Sequence, residues 1–301
     1  MSIRARVKLR LGCILLVYFG LSSSIELCAQ QPEGTGPSKV AKNLAWLPPD
    51  LDAQIPRDKS ELTCPLQSVL EQAGARAVEL TRTLENFTAL EEIRYQRIGP
   101  DDFVEQSDSS TFEYNFGFES HGGGRSTQEY RNPAKGGHTF PSSTQDVGLV
   151  AMALIFLPGL QSDYEMTCEG LIKWREKPAY LIRFAQRKDK PGRTLRIRSD
   201  KGTYPVMLRG RAWISAENAQ VLHMEIKSME PIHAYKLRSA TIAIDYGAVE
   251  IHSLNIEMWL PHTIDAYWEY ETYRVILLHT FTNFQVFSVD TLERVKPPNT
   301  N

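Results

Sequence analysis

Alternation of apolar and polar residues runs through the second half of the chain and predicts a β-rich protein. The clearest case is a hairpin, with strands predicted at 210–215 and 221–228 around a polar loop that contains Glu217 and Asn218. Apolar side chains recur at every second position of its second strand: Leu222, Met224 and Ile226. A period of two is typical of a strand with one buried face.

Similar short patterns recur as far as residue 289. They predict about eleven strands at regular spacing, and Pro261 is expected to end a strand at 256–260. The expected fold class is mainly β with few helices, a large curved antiparallel sheet or open half-barrel.

One amphipathic helix is predicted ahead of these strands. Pro65 suits the first helical position, where a missing N–H costs nothing. The apolar residues that follow at helical spacing are Leu66, Val69, Leu70, Ala73, Ala77, Leu80 and Leu84. This single stripe predicts a helix that covers the apolar face of the sheet.

A second cover is predicted at 147–157, which is apolar throughout and stops at Pro158. It is too short to cross a membrane and too continuous for a surface helix. We expect a short apolar helix that is buried on nearly all sides or plugs a cavity.

The first 29 residues have the order of a secretory signal: a basic start, an apolar run from Leu11 to Leu21 and a small residue, Ala29, at the expected cleavage site. A retained membrane anchor is the alternative, but the apolar run is short for one. Lipid attachment at Cys28 is disfavoured, because Leu27 stands where a small residue is needed. The remaining boundaries are a flexible leader (30–60), a half-barrel domain (61–296) and a tail (297–301).

Charge and cysteine content restrict the function and the compartment. Without the signal, about 30 basic and 35 acidic residues remain, a net charge of about −5. This balance argues against nucleic acid as a partner. Two cysteines also remain, Cys64 and Cys168, which suggests one disulfide in a periplasmic or secreted protein; two separate buried thiols are the alternative.

Catalytic and cofactor motifs are weak. His121-Gly122-Gly123-Gly124 resembles an esterase oxyanion stretch, but no Gly-x-Ser-x-Gly accompanies it, and a hairpin loop explains it better. The seven histidines are scattered without zinc spacing, and phosphate-binding glycine motifs are absent from the sequence. We therefore expect no cofactor, no metal and no enzyme activity.

The apolar residues suggest a binding surface, although an ordinary core explains each one as well. The candidate ligand-binding residues are Trp213, Leu222, Met224, Met258, Trp259 and Phe284. The candidate lid residues in the second cover are Leu149, Met152, Ile155 and Phe156.

Several of these features together resemble the LolA/LolB-like superfamily of periplasmic lipoprotein carriers and related sensors of envelope state. They are the signal, the amphipathic helix, the long sheet, the hairpin motif Gly210–Ile214, the strand end Met258–Pro261 and the terminal strand Phe281–Phe284. The resemblance covers about residues 64–295. It implies an open half-barrel that holds acyl chains beneath two helical covers.

Three functions follow. The first is a non-catalytic periplasmic protein that binds a lipid or the acyl chains of a lipoprotein, with no stable membrane span after signal cleavage. The second is an envelope protein-interaction or sensor module with a solid core. The third is a hydrolase whose site forms from residues distant in sequence.

Overall fold

A computed structural model of the chain describes residues 47–55, 64–83, 86–121, 124–140, 145–190, 192–199, 202–251 and 255–287. The predicted signal (1–29), Cys28 and the tail (297–301) lie outside the described residues. Within them, the chain is mainly β, as the sequence predicts.

Ten strands form one open sheet in which all neighbours are antiparallel. Its order is β3-β2-β1-β13-β12-β11-β10-β9-β6-β5, with β3 and β5 at the edges. The strands are β1 (Asn86–Ile98), β2 (Val104–His121), β3 (Gly124–Pro133), β5 (Tyr164–Trp174), β6 (Lys177–Gln186), β9 (Leu208–Ser215), β10 (Val221–Ser228), β11 (Leu237–Ile251), β12 (Ile256–Tyr270) and β13 (Arg274–Phe287).

Three short strands form a second sheet, so the expectation of a single sheet of about eleven strands is corrected. They are β4 (Gln145–Val147), β7 (Arg196–Ser199) and β8 (Gly202–Pro205), in the order β4-β7-β8. The backbone of β7 pairs with β4 on one side and β8 on the other, which leaves it no free edge for the large sheet.

The expected end of a strand at Pro261 is also wrong, because β12 continues through it to Tyr270. The pairing of β12 with β11 shifts between Tyr246↔Pro261 and Asp245↔Thr263, while the pairing with β13 begins only at Thr263. The proline thus lies at an irregularity with no β13 neighbour, where its missing N–H breaks no ladder bond.

The predicted long helix is confirmed as α1 (Leu66–Thr83). Its small residues Ala73 and Ala77 are buried against one face of the large sheet, which we call the inner face. Gly74 allows α1 to pack closely against the segment 156–161. A Cβ at this position would lie 2.9 Å from the Gln161 side chain and 3.1 Å from the Phe156 carbonyl oxygen.

The second cover contains less helix than expected. Only Met152–Phe156 is helical, as one 3-10 helix, and α2 (Pro158–Gln161) follows. Gly148 enters the segment with a φ of 110°, a conformation that a longer helix could not include. The side chains are nonetheless buried as predicted.

The predicted disulfide between Cys64 and Cys168 is confirmed, with their Cα atoms 6.1 Å apart. It joins the residue two positions before α1 to the edge strand β5. No helix among the described residues combines the length and the apolarity that crossing a membrane requires.

Part of the predicted leader packs against the opposite face of the large sheet, which we call the outer face. Residues 47–55 contact β6 and β9 there, and Leu51 is only 2% exposed. The sequence did not predict this contact, because the segment is short and rich in proline and aspartate, a composition typical of an unstructured leader.

Candidate functional site

A cleft of about 470 Å³ opens between α1 and the inner face of the sheet. Its walls come from the second half of α1, the loop between β9 and β10, and the start of β12. The apolar lining residues are Ala73, Ala77, Leu80, Ala153, Val221, Tyr246, Ile256, Met258 and Trp259. Arg76, Glu79, Asn218, Gln220 and Glu257 supply the polar part of the lining.

The cleft exists because α1 presents alanines where larger residues would fill the space. The sheet on the other side is fixed by Trp259, whose Nε1–H donates to the Val221 carbonyl oxygen at 2.6 Å. This bond links the start of β12 to the start of β10. The result is a rigid apolar wall facing a helix with small side chains.

Polar groups border the cleft on its α1 side. Arg76 donates from Nε to the Asn218 carbonyl oxygen at 3.0 Å and from Nη1 to Glu79 at 2.9 Å. These contacts hold α1 to the β9–β10 loop. Arg76 and Glu79 are largely exposed, so the cleft passes from a charged border to an apolar interior.

Tyr246 forms part of the interior of the cleft. Its hydroxyl donates to the Met224 sulfur at 3.7 Å. Burial raises the pKa of Tyr246 well above its ordinary value, so the phenol remains neutral. Met224, a predicted ligand-binding residue, is therefore buried beneath a tyrosine of the cleft.

The other five predicted ligand-binding residues divide between three places. Met258 and Trp259 line the cleft. Phe284 packs against Phe87, with ring centroids 5.9 Å apart, on the β1–β13 part of the sheet. Trp213 and Leu222 belong to a separate apolar cluster on the outer face.

A β-bulge explains why Leu222 does not lie with Met224. The register shifts so that Val221 pairs with Ile214 and His223 with Trp213, which leaves Leu222 as the extra residue. The alternation is broken at this point, and Leu222 packs with Trp213 instead of with the inner core.

All four predicted lid residues are completely buried, at 0% exposure. Leu149, Met152, Ile155 and Phe156 belong to the main core, and Ala153 is the member of this segment that lines the cleft. The segment therefore fills the centre of the inner face and leaves the cleft at one side of it.

A buried polar network lies elsewhere on the inner face. Glu91 accepts two hydrogen bonds from Arg131, at 2.7 and 3.1 Å, and one from His279 Nδ1 at 2.8 Å. Burial alone would raise the pKa of Glu91, but the charge of Arg131 and the contact with His279 lower it below its ordinary value. A second glutamate, Glu129, accepts from the Gly148 backbone N–H at 2.7 Å and so holds the start of the apolar segment.

A second histidine–carboxylate pair lies on the outer face. His223 Nδ1 is 2.7 Å from Asp245, and Trp174 stacks on the imidazole with centroids 4.1 Å apart. Burial favours the neutral ring, but the hydrogen bonds and charges of Asp245 and Glu225 raise the pKa of His223 above its ordinary value.

Neither pair forms the nucleophile arrangement of a hydrolase. His223 Nε2 faces Glu225 at 3.8 Å, and His279 Nε2 has no hydrogen-bond partner among the residues that the structure describes. Among the described residues, no three or more histidine, cysteine or acidic side chains are grouped so that they could hold a metal ion. Sequence reasoning missed both pairs, because their members are far apart in the chain.

No protein-family model and no curated protein matches the chain. Solved structures similar to it include a DUF1329 family protein from Desulfovibrio piger, 10% identical, with 74% of this chain and 94% of that chain covered and a TM-score of 0.43. A LolA superfamily protein from Nitrosomonas europaea is 13% identical, with coverages of 75% and 96% and a TM-score of 0.35. A proposed outer membrane lipoprotein-sorting protein domain from Vibrio parahaemolyticus is 12% identical, with coverages of 76% and 95% and a TM-score of 0.40.

Proposed function

We propose that the protein binds one acyl chain, of a lipid or of an acylated partner, in the cleft between α1 and the sheet. The observation that carries this proposal is the cleft itself, about 470 Å³, with apolar side chains at nine of its fourteen lining residues. Small-molecule sites in proteins have volumes of roughly 300–1,000 Å³, a range that includes this cleft.

The apolar part of the lining suits a hydrocarbon chain, and its polar border suits a headgroup. Met258, Leu80 and Ile256 offer flexible or branched apolar contacts, and the Trp259 indole has its N–H occupied by a backbone carbonyl. Each methylene that enters contributes about 0.8 kcal/mol. Arg76 at the border can meet an anionic headgroup, and the disulfide is consistent with a periplasmic or secreted location.

The test is uptake of a fluorescent fatty acid, cis-parinaric acid, by the purified protein and two tryptophan variants. Ala77→Trp places an indole inside the cleft and is expected to weaken uptake by at least about tenfold, a loss of about 1.4 kcal/mol. Ala75→Trp is the matched control, because Ala75 is exposed on the same helix, and its uptake should equal that of the wild type.

Saturated fatty acids of increasing length should displace the probe more strongly until the cleft is full, and longer chains should then gain nothing. Both variants are checked for an unchanged unfolding midpoint, because overpacking at Ala77 could weaken the fold instead of filling the cleft. No uptake by the wild type, or equal uptake by the two variants, would contradict the proposal.

The second candidate, a protein-interaction module, is favoured by the filled centre of the inner face. Leu149, Met152, Ile155 and Phe156 occupy the space in which a larger lipid would lie. This candidate predicts no uptake at any chain length, so the same titration distinguishes the two functions.

A further inference from the structure

Residues 47–55 bind to the outer face through three arginine side chains. Arg211 donates to the carbonyl oxygens of Ala53 and Asp50, at 2.8 and 2.9 Å. Arg183 donates to the carbonyl oxygen of Leu51 at 3.3 Å. These three hydrogen bonds reach the backbone of the segment and not its side chains.

One side chain of the segment adds a charge-specific contact. Asp52 receives two hydrogen bonds from Arg209, at 2.7 and 3.0 Å. The hydrogen bonds and charge of Arg209 lower the pKa of Asp52 to about 2, so its carboxylate is ionised at neutral pH. Such a two-point contact between arginine and a carboxylate is both directional and strong.

The arginines form a prepared site, because acidic residues of the sheet hold two of them in position. Glu225 binds Arg211 at 2.6 Å, and Glu169 binds Arg183 at 2.8 Å. With residues 47–55 in place, the Arg211 side chain is only 3% exposed. The sheet carboxylates therefore orient two of the guanidinium groups that the segment contacts.

The position of these cations also favours an acidic occupant. Arg183 and Arg211 are direct partners across β6 and β9, and Arg209 pairs with Lys227 across β9 and β10. Like charges opposite one another destabilise a sheet unless a partner compensates them. Glu225 and Glu169 compensate Arg211 and Arg183, so the positive charge of Arg209 and Lys227 is what favours an acidic occupant.

Apolar contacts complete the recognition. Leu51 is buried, and Ile55 packs against the outer cluster that contains Trp213 and Leu222. The segment forms a turn that its own hydrogen bonds hold: the Ala53 N–H donates to the Asp50 carbonyl oxygen, and the Asp52 N–H donates to the Asp50 side chain. A short piece held by two apolar side chains and a few hydrogen bonds can detach without unfolding the sheet.

We propose that this surface, which we call the arginine groove (Arg183, Arg209, Arg211 and the outer apolar cluster), is a docking site for an acidic peptide of a partner protein that adopts the same turn as residues 47–55. Residues 47–55 are its built-in occupant and competitor. A partner segment with a leucine followed by an aspartate would make the same contacts and displace them. This proposal is independent of the cleft, which lies on the opposite face.

The test measures binding of a fluorescein-labelled peptide that copies residues 47–55. A tethered competitor acts at an effective concentration of about a millimolar, so the wild type should bind the peptide weakly. Asp52→Arg in the protein repels Arg209 and releases the built-in segment, and its affinity for the peptide should rise by at least about tenfold. Asp52 is exposed, so this variant is expected to fold; Leu51→Asp serves as a second way to release the segment.

The controls assign the binding to the groove. Adding Arg209→Gln to the released variant, or replacing the peptide aspartate that corresponds to Asp52 by asparagine, should lower the affinity by about tenfold. Equal peptide binding by the wild type and both released variants, or no binding by any, would make the segment a fixed part of the fold and overturn the proposal. A stable dimer of the wild type that exchanges this segment would overturn it as well, since the occupant would then be a second copy.

Discussion

Gly148 occupies a backbone position that a residue with a side chain would strain. Its φ is 110°, and a Cβ there would clash with the Thr194 carbonyl oxygen. Its N–H binds Glu129, which fixes the point where the buried apolar segment starts. One glycine thus determines how the chain enters the centre of the inner face.

We predict that Gly148→Ala lowers the free energy of unfolding by about 2 kcal/mol or more, because strain and a backbone clash act together. Urea denaturation measures the change. Gly136→Ala is the control for strain alone, since Gly136 has a φ of 85° but no atom within 4 Å of a Cβ; Gly159→Ala has neither problem. A loss at Gly148 no larger than at Gly136 would show that the close contact with Thr194 is unimportant.

At the scale of the element, α1 is held at both ends by different means. The disulfide ties its N-terminal end to β5, and Arg76 ties its second half to the β9–β10 loop through one hydrogen bond to Asn218. The tie at the first end is covalent, whereas the tie between Arg76 and Asn218 is an exposed hydrogen bond, which makes the cleft side of α1 the easier side to move. This difference suits the ligand entry that we propose.

We predict that Cys64→Ala with Cys168→Ala lowers the free energy of unfolding by as much as about 4.7 kcal/mol, the chain-entropy value for closing a loop of about this length. Urea denaturation of the wild type, with and without reductant, provides the matched comparison. Amide exchange in the first turn of α1 should accelerate more than in its last turn, because the tether acts at the first. Equal stability of oxidised and reduced protein would contradict the entropic argument.

At the scale of the whole molecule, buried ion pairs on both faces make stability depend on pH. The pKa values of Glu91, Glu225 and Asp245 lie below their ordinary values, in each case because nearby cations and hydrogen bonds outweigh burial. These groups stabilise the fold above pH 4.5, the ordinary value for glutamate, and lose that effect as the pH falls through their folded pKa values. Burial and the charge of Asp245 raise the pKa of Asp265. Protonation of Asp265 therefore stabilises the folded protein at acid pH and partly offsets the loss from the other three carboxylates.

His223 makes stability depend on pH at the alkaline side of the pH range. Its pKa in the folded protein is raised above 6.5, so its contribution is complete below that pH and is lost as the pH rises through the folded value. We therefore predict that the free energy of unfolding is greatest between about pH 4.5 and pH 6.5. Urea denaturation over a pH series measures it.

Two histidine variants test whether His223 causes the fall in the free energy of unfolding at alkaline pH. His223→Gln should flatten it, whereas His233→Gln, which changes an exposed histidine, should retain it. If stability were greatest above pH 7, or if His223→Gln had no effect on the slope, the assignment to the buried pair would be wrong.

The part of the fold that depends on local pattern could be predicted from the sequence. The hairpin at β9–β10 and the stripe of α1 follow from periods of two and 3.6, which adjacent residues set by themselves. The disulfide was predictable because only two cysteines, Cys64 and Cys168, lie outside the predicted signal. The burial of residues 149–156 followed from their uninterrupted apolarity, although the type of helix did not.

Only the tertiary structure decided which face or cavity each residue occupies. A bulge moves Leu222 to the outer face, and the pairing partners of β12 permit Pro261 within a strand. Glu91 and His279 meet across 188 positions of sequence, and Leu51 reaches Arg183 across 132. The physical reason is that strand pairing joins distant segments, and register, bulges and long-range charge contacts are properties of those pairs and not of either segment alone.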